Sequence, residues 1–382
     1  MLTGTISDFF LPAAEALIFY YGYPWVKARF KLYTKAKQTK TEWSDIQQDY
    51  LLLVPFRNEE TRIGPLLKSL EKTQFPGKLE IVFINDHSSD FSVNVIESAL
   101  PTVPYKTHIL HCPEDVQGKK NALNFAINQY SAHGIFTIDA DCSFSENMLA
   151  LQAQKFEQEN LNLLVSPVMF LANNSPLQQY QRLENMCLVS LGLGHLIQGS
   201  PTMANGANLL FRRDIFLAVN PYQNNQQVVG GDDIFLLESI FSHDAEKVGY
   251  SLTSEFAVNT PVLSTWRELW QQRVRWVRKT KHQNTKFTRN SQIHLAIFYV
   301  LFWGIIAGSM WYGHDDFSFA LFYLKTAMDC IIIYNFTTFW KIPTNLYQLL
   351  AASILQSFFI PLLGIGQLFG KTHWKGRDFS LS

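Results

Sequence analysis

Residues 50–60, YLLLVPFRNEE, decide how this chain folds. The apolar run 50–56 is too short for most helices and has no polar face, so it predicts a strand buried on both sides. It ends in a polar turn, Arg57, Asn58 and Glu59. RIGPLLKSLEKT follows with helical spacing and a proline near its start. The alternation then repeats. KLEIVFIND is a second strand closed by the turn 85–90, NDHSSD, and YKTHILH is a third. GKKNALNFAINQY reads as a helix, and GIFTID as a fourth strand. Apolar strands alternating with amphipathic helices predict a parallel sheet covered on both faces. Ligands of such sheets bind outside the carboxyl ends of the strands. The polar residues gather there: Glu59 and its neighbours after strand one, Asp86 after strand two, Asp139 and Asp141 after strand four.

Composition narrows the function classes. The 382 residues are 47% hydrophobic and 14% aromatic, enough for a large core and more than one domain. Formal net charge is zero, which gives no global argument for nucleic acid or an acidic partner. The basic residues are nevertheless clustered: residues 26–40 hold six Lys/Arg and no acid, and residues 262–290 hold eight against Glu268 alone. Both blocks adjoin apolar segments, the pattern of cytoplasmic flanks beside a membrane. The four cysteines are scattered without ligand spacing, so reduced thiols are expected rather than disulfides or a zinc site. The first residues lack a basic n-region and a small-residue cleavage site, so no secretory signal is expected.

Three runs near the C-terminus are candidates for the membrane. Residues 293–312 contain His294 as their one titratable group of the His, Lys, Arg, Asp and Glu type, and residues 347–369 contain none. Each is long enough to cross ~30 Å of hydrocarbon as a helix. Residues 317–340 carry Lys325 and Asp329, four apart, able to neutralise each other on one helical face. Residues 9–26 are aromatic but interrupted by Pro12, Glu15, Gly22 and Pro24, which predicts an interfacial anchor rather than a span. The expected division is therefore an anchor and basic linker (1–44), a cytoplasmic catalytic domain (45–260), an interfacial helical segment (261–290), two to three transmembrane helices (291–370) and a basic tail (371–382). The setting suggested is a bacterial inner membrane. Charge leaves the topology open: three crossings put the tail opposite the catalytic domain, yet KTHWKGR (371–377) is basic. Either the last run re-enters, or one span is not a span.

Asp139 and Asp141, one residue apart on a bend, can both turn toward one divalent ion. Mg²⁺ and Mn²⁺ take hard oxygen ligands, often one or two carboxylates with substrate phosphates completing the shell. No GxxxxGK[ST] or GxGxxG is present, which removes the main support for ATP hydrolysis or ordinary dinucleotide binding. A nucleoside diphosphate neutralised by metal fits better.

The motifs occur in an order that resembles the family-two inverting glycosyltransferases of GT-A fold, in particular their membrane-embedded branch, which includes ceramide glucosyltransferases and polysaccharide synthases. The resemblance runs from about residue 50 to residue 278. It implies a Rossmann-like, mostly parallel sheet flanked by helices, with C-terminal transmembrane helices. VPFRNEE resembles the family's P-x-x-N-E turn and implies that Glu59 lies near the nucleobase. Asp86 stands where the family contacts uracil, although NDHS replaces DDGS. GKKNALN matches GKxxALN, placing Lys119 in the nucleotide pocket. DAD matches DxD, with Asp141 the surer metal ligand and Asp139 serving metal, ribose or sugar. NGANLLFRR resembles an acceptor-side segment containing Asn208. Asp232 and Asp233 take the place of an ED pair, Asp233 being the base. QQRVRW contains Q-x-x-R-W as Gln272, Arg275 and Trp276, the first two on the diphosphate and Trp276 beneath the acceptor. Each has a blander reading. Asp232 and Asp233 could cap a helix, Arg273, Arg275 and Arg278 could be a membrane flank and Trp276 an interfacial anchor, His195 could be a packing residue, and Cys142 a small filler.

The implied reaction moves a sugar from a UDP-sugar to a lipid or glycan hydroxyl with inversion, using Mg²⁺ or Mn²⁺. A processive polysaccharide synthase and a polyprenyl-phosphate transferase are variants within the enzyme class. A non-catalytic nucleotide-sugar-binding or assembly protein lies outside it.

Overall fold

The computed structural model describes residues 6–36, 46–173, 175–225, 230–279, 286–366, 372–374 and 377–379. Helix α1 (Ile6–Ala36) precedes the sheet domain. That domain begins with β1 (Asp49–Phe56), α2 (Gly64–Lys72), β2 (Lys78–Asn85), α3 (Ser92–Ala99) and β3 (Lys106–His111). Then come α4 (Lys119–Gln129), β4 (Gly134–Thr137), α5 (Met148–Gln158), β5 (Leu163–Val165) and β6 (Val168–Leu171). A long helix α6 (Pro176–Ile197) leads to β7 (Leu209–Arg212), α7 (Arg213–Val219) and α8 (Asp232–His243). The domain closes with β8 (Val248–Tyr250) and β9 (Val258–Pro261). Helices α9 (Trp266–Lys279), α10 (Lys286–Trp311), α11 (Asp315–Phe339) and α12 (Leu346–Gly366) follow, then a hairpin of β10 (Thr372–Trp374) and β11 (Arg377–Phe379).

Seven strands form the main sheet in the order β3-β2-β1-β4-β7-β5-β8. β3, β2, β1 and β4 are parallel, while β7 runs antiparallel to both β4 and β5. The continuous apolarity of β1 follows from burial of both faces. Leu51 and Leu53 face one core with Val82, Ile84 and α4, whereas Leu52 and Val54 face the other with Leu66, Leu70 and Phe83. In register, Phe56 of β1 sits beside Asn85 of β2, and Leu53 lies beside both Val82 and Thr137. The turns after β1, β2 and β4 therefore open on one edge, as the strand pattern requires.

The helical part is joined to the sheet domain. The core on one face of the sheet continues through α6 into α1, α10, α11 and α12. α10, α11 and α12 contain segments long and apolar enough to cross a membrane: Arg289–Trp311, Asp315–Phe339 and Leu346–Gly366. α1 differs from the interrupted segment expected, being one helix despite Pro12 and Pro24. Each proline removes a backbone hydrogen bond, and tertiary packing offsets the loss. Tyr21, Ala28 and Leu32 are buried, and a Cβ on Gly194 of α6 would come within 2.5 Å of the Ala28 Cβ. The linker 37–45, residues 280–285, residues 367–371 and much of the basic tail lie outside the described residues.

Candidate active site

The site is built from turns that brace one another. Asn58, at the end of β1, takes a left-handed conformation (φ 53°) and accepts a hydrogen bond from the Ser89 N–H at 2.8 Å. The Glu59 N–H donates to Ser92 Oγ at 2.7 Å, and the Glu60 N–H to Asp90 Oδ2 at 3.1 Å. The buried Glu59 carboxylate pairs with Arg62 Nε at 2.8 Å. Asp86, also buried, accepts the Gly118 N–H at 3.1 Å. Gly118 has φ +86°, a conformation that disfavours any side chain. That bend starts α4 and brings its first residue, Lys119, over the sheet edge.

Lys119 is the centre of the site. Its Nζ lies 2.6 Å from Asp139 Oδ1 and 3.0 Å from Asp232 Oδ2, joining the end of β4 to the start of α8. Burial alone would lower the lysine pKa, but the charges of Asp139 and Asp232 outweigh it and hold the ammonium well above its ordinary range. Gly206 leaves room for this pair: a Cβ there would overlap the Asp232 carboxylate and come within 2.9 Å of Lys119 Nζ. Tyr222 donates to the Asp232 carbonyl at 3.0 Å. Lys120 donates to the Asn225 carbonyl and sits 5.4 Å from the Phe235 ring centre; burial, opposed by Asp232, brings its pKa down to about 8. Both lysines thus hold the chain leading into α8, one by its acid and one by its backbone.

Asp141 lines a cleft of about 210 Å³ with Arg62, Ser143 and Asn259. Among the described residues, no group of three or more His, Cys, Asp or Glu is gathered for a metal. A hard divalent ion completed by substrate phosphates needs no such cage. The donors here are carboxylates, and the adjacent Cys142 thiol is pushed far up, first by burial and then by Asp139 and Asp141, so it offers no thiolate. Asp139 and Asp141 therefore fit Mg²⁺ or Mn²⁺ better than a softer metal.

On α9, Arg275 is mostly buried. Burial lowers its pKa, and the charges of Asp139 and Asp232 act against that. Gln272 and Trp276 are arranged around a residue that charge counting assigns to the membrane flank, Arg273. It is 3% exposed, pairs with Glu184 of α6 at 2.6 Å, donates to the Gln272 side-chain oxygen, and lies 4.2 Å from the Trp276 ring centre. Arg273 thus seats α9 on the domain, with Arg275 in the field of Asp139 and Asp232. Asn208 is 1% exposed. Its amide donates to the carbonyls of Pro167 (2.7 Å) and Phe256 (2.9 Å), and its oxygen accepts from Gln152 (2.8 Å). Those partners make it a bracket within the domain rather than an acceptor contact. His195 is buried beside Thr202, as a packing histidine would be. The structure therefore gathers Lys119, Asp139, Asp232 and Arg275, with Asp233 next along α8. Glu59 and Asp86 stand one layer back. Gly206, Lys120 and the Arg273–Glu184 pair emerge only from the fold; Gly206 lies in the NGAN motif, but nothing in the motif indicates the acid and amine pressed against it.

Residues 52–219 match the family model described as glycosyl transferase family 2. The probable glycosyltransferase YdaM of Bacillus subtilis (strain 168) is 24% identical over 291 residues, covering 72% of this chain and 67% of YdaM. The 4,4'-diaponeurosporenoate glycosyltransferase of Staphylococcus aureus (strain N315) is 30% identical over 118 residues, covering 30% of this chain and 29% of that protein. The chain thus spans less than a third of that relative. The mannosyltransferase PcManGT from Pyrobaculum calidifontis, solved in complex with GDP-Man and Mn²⁺, superposes with a TM-score of 0.53 at 16% identity, over 90% of this chain and 98% of that one. The sheet domain is accordingly GT-A-like, and residues 52–219 within it match the glycosyl transferase family 2 model.

Proposed function

We propose that this protein is a membrane-bound, inverting glycosyltransferase that moves a sugar from a UDP-sugar to a hydroxyl of a lipid or membrane-associated glycan. The observation that carries this reading is the Lys119–Asp139–Asp232 cluster, with Arg275 beside it, at the carboxyl edge of the sheet. Cations and acids gathered there suit a diphosphate and a proton transfer together. In this reading the acceptor oxygen attacks the anomeric carbon from the face opposite the diphosphate. The bond from that carbon to the diphosphate oxygen breaks, and the hydroxyl proton passes to Asp233. Asp232 is paired with Lys119, and Asp233, beside it at the start of α8, accepts the Ile234 N–H at 2.7 Å; the base is assigned to Asp233 because it stands where the resembling family carries the second acid of its pair. Lys119, Arg275 and Gln272 attract the departing diphosphate, Glu59 and Asp86 support the nucleobase side, and Trp276 lies toward the acceptor. Asp141 and Asp139 would hold Mg²⁺ or Mn²⁺, which when bound supplies further charge neutralisation to the leaving group.

The names of the relatives support sugar transfer, and the apolar helices support a catalytic domain held at a membrane, cytoplasmic in this reading. The test is incubation of membranes containing the protein with a panel of UDP-sugars and Mn²⁺, followed by mass spectrometry of extracted lipids. A lipid heavier by one hexose is expected, and excess EDTA should remove the signal. Polymer in place of that lipid favours a processive synthase. Neither transfer nor UDP-sugar hydrolysis by the purified protein would favour a binding or assembly protein.

A further inference from the structure

The cleft beside Asp141 is walled by residues that the reaction above leaves unused. Ser143, two residues beyond Asp141, pairs with Asn259 on β9. The Asn259 N–H donates to the Ser143 carbonyl at 2.7 Å, and the Ser143 N–H donates to the Asn259 carbonyl at 2.8 Å. That bridge uses backbone groups alone, so the Ser143 hydroxyl and the Asn259 amide remain for the cleft they line. The strand period aims Asn259 there. Its neighbours turn the other way: Val258 is buried in a core with Phe144, and the Thr260 side chain meets the Cys142 thiol. Thr61 and Arg62, in the turn between β1 and α2, form the facing wall. The N–H groups of Arg62 and Ile63 both donate to the Glu59 carbonyl at 2.9 Å and hold that turn in place.

Size and chemistry narrow what the cleft takes. Pockets for drug-sized ligands measure roughly 300–1,000 Å³, so a volume of about 210 Å³ suits one small ring rather than a whole nucleotide sugar. Amide and hydroxyl groups offer both donors and acceptors, while Pro65, Leu171 and Pro261 supply apolar surface between them. A pyranose matches that lining, with hydroxyls around its rim and C–H groups on its faces. Charge narrows the choice further. Arg62 is the one cation among the residues that line the cleft, and its Nε is bound to the Glu59 carboxylate at 2.8 Å. Asp141, the other charged wall, adds a negative charge. The cleft therefore favours a neutral sugar over one that carries a carboxylate.

We propose that this cleft is the subsite for a neutral hexose ring, held by Asn259 and Ser143. The proposal rests on the nucleotide-sugar reading above. The ring can belong to the donor or to the acceptor, and two titrations of the full chain in lipid nanodiscs with Mn²⁺ separate them. One uses UDP, UDP-glucose, UDP-galactose and UDP-glucuronic acid; the other uses methyl β-glucoside in the presence of saturating UDP. For a donor ring, a neutral UDP-hexose should bind roughly tenfold more tightly than UDP, the worth of one or two net hydrogen bonds. Asn259→Ala and Ser143→Ala should each erode that gain while leaving UDP affinity unchanged, which also shows that the variants fold. For an acceptor ring, methyl β-glucoside should bind the parent and be lost from both variants, with no gain of UDP-hexose over UDP. UDP-glucuronic acid as the tightest ligand, or sugar binding that neither variant weakens, would overturn the proposal and leave the reaction standing. UDP binding with no sugar gain in either titration would do the same. Failure to bind UDP at all would overturn the reaction and the subsite together.

Discussion

A lysine bridged to carboxylate occurs twice in this molecule, and the two settings differ in what they leave open. At the sheet edge, Lys119 joins Asp139 and Asp232, whose side chains are 37% and 12% exposed. Among the apolar helices, Lys325 pairs with Asp329 at 2.5 Å, and the two are 0% and 2% exposed. The second pair is closed on every side. Tyr21 and Ser353 donate to Asp329 at 2.8 Å, and Lys325 donates to Ser357 at 2.6 Å. The same chemistry is therefore a clamp in one place, tying α1, α11 and α12 together, and an accessible charged surface in the other. Burial and residual access, rather than residue type, distinguish a structural pair from a site.

Breaking the clamp should produce the largest effect on stability. Asp329→Ala leaves a buried ammonium without its partner, at a cost of roughly 3–5 kcal/mol, measurable as thermal unfolding in detergent. Lys325→Met combined with Asp329→Leu should recover most of that loss. Lys119→Met makes the opposite trade. Sugar transfer should fall by about 10²–10³-fold, the usual effect of losing one preorganised group, while the unfolding temperature stays near wild type. A large fall in unfolding temperature with activity preserved would make Lys119 a second clamp.

The closed class also includes His195, whose pKa is brought to about 4 by burial and, secondarily, by Lys27. Because this lies below the ordinary 6.5, the unfolded chain takes up the proton first. Stability is intact above pH 6.5, declines as pH falls toward 4, and levels off below. The full difference is worth ~3 kcal/mol at about 1.4 kcal/mol per pH unit. His195→Gln should flatten this acid limb in denaturation curves; an unchanged slope would place the loss in other groups. The smallest expected effect is at Gly206. An added methyl at Gly206→Ala must displace the Asp232 carboxylate, lowering transfer on the order of tenfold with little change in stability. Full activity in Gly206→Ala would mean the acid need not hold its observed position.

Much of this was legible in the residues, for reasons that also explain what was not. β1, β2 and β4 show as apolar runs because both faces are covered, and the apolar lengths of α10, α11 and α12 are conspicuous for the same reason of scale. β5, β7 and β8 are three or four residues long, too short to express a period, so the antiparallel insertion of β7 does not show. α1 reads as broken at its prolines because its support comes from Gly194, distant in sequence. The acids of the site are marked by their position at strand ends. Their pairing is not, since nothing local connects Lys119 to Asp232. Arg273 is the clearest misreading: charge counting places it on a membrane flank, and the fold buries it against Glu184.

The division between Asp232, bound to Lys119, and Asp233, beside it on α8 and assigned the proton, is the central claim. The most direct test measures UDP affinity and sugar transfer together in Asp233→Asn. Transfer lost at unchanged UDP affinity is the predicted result. Transfer at a near wild-type rate would contradict it and move the base elsewhere.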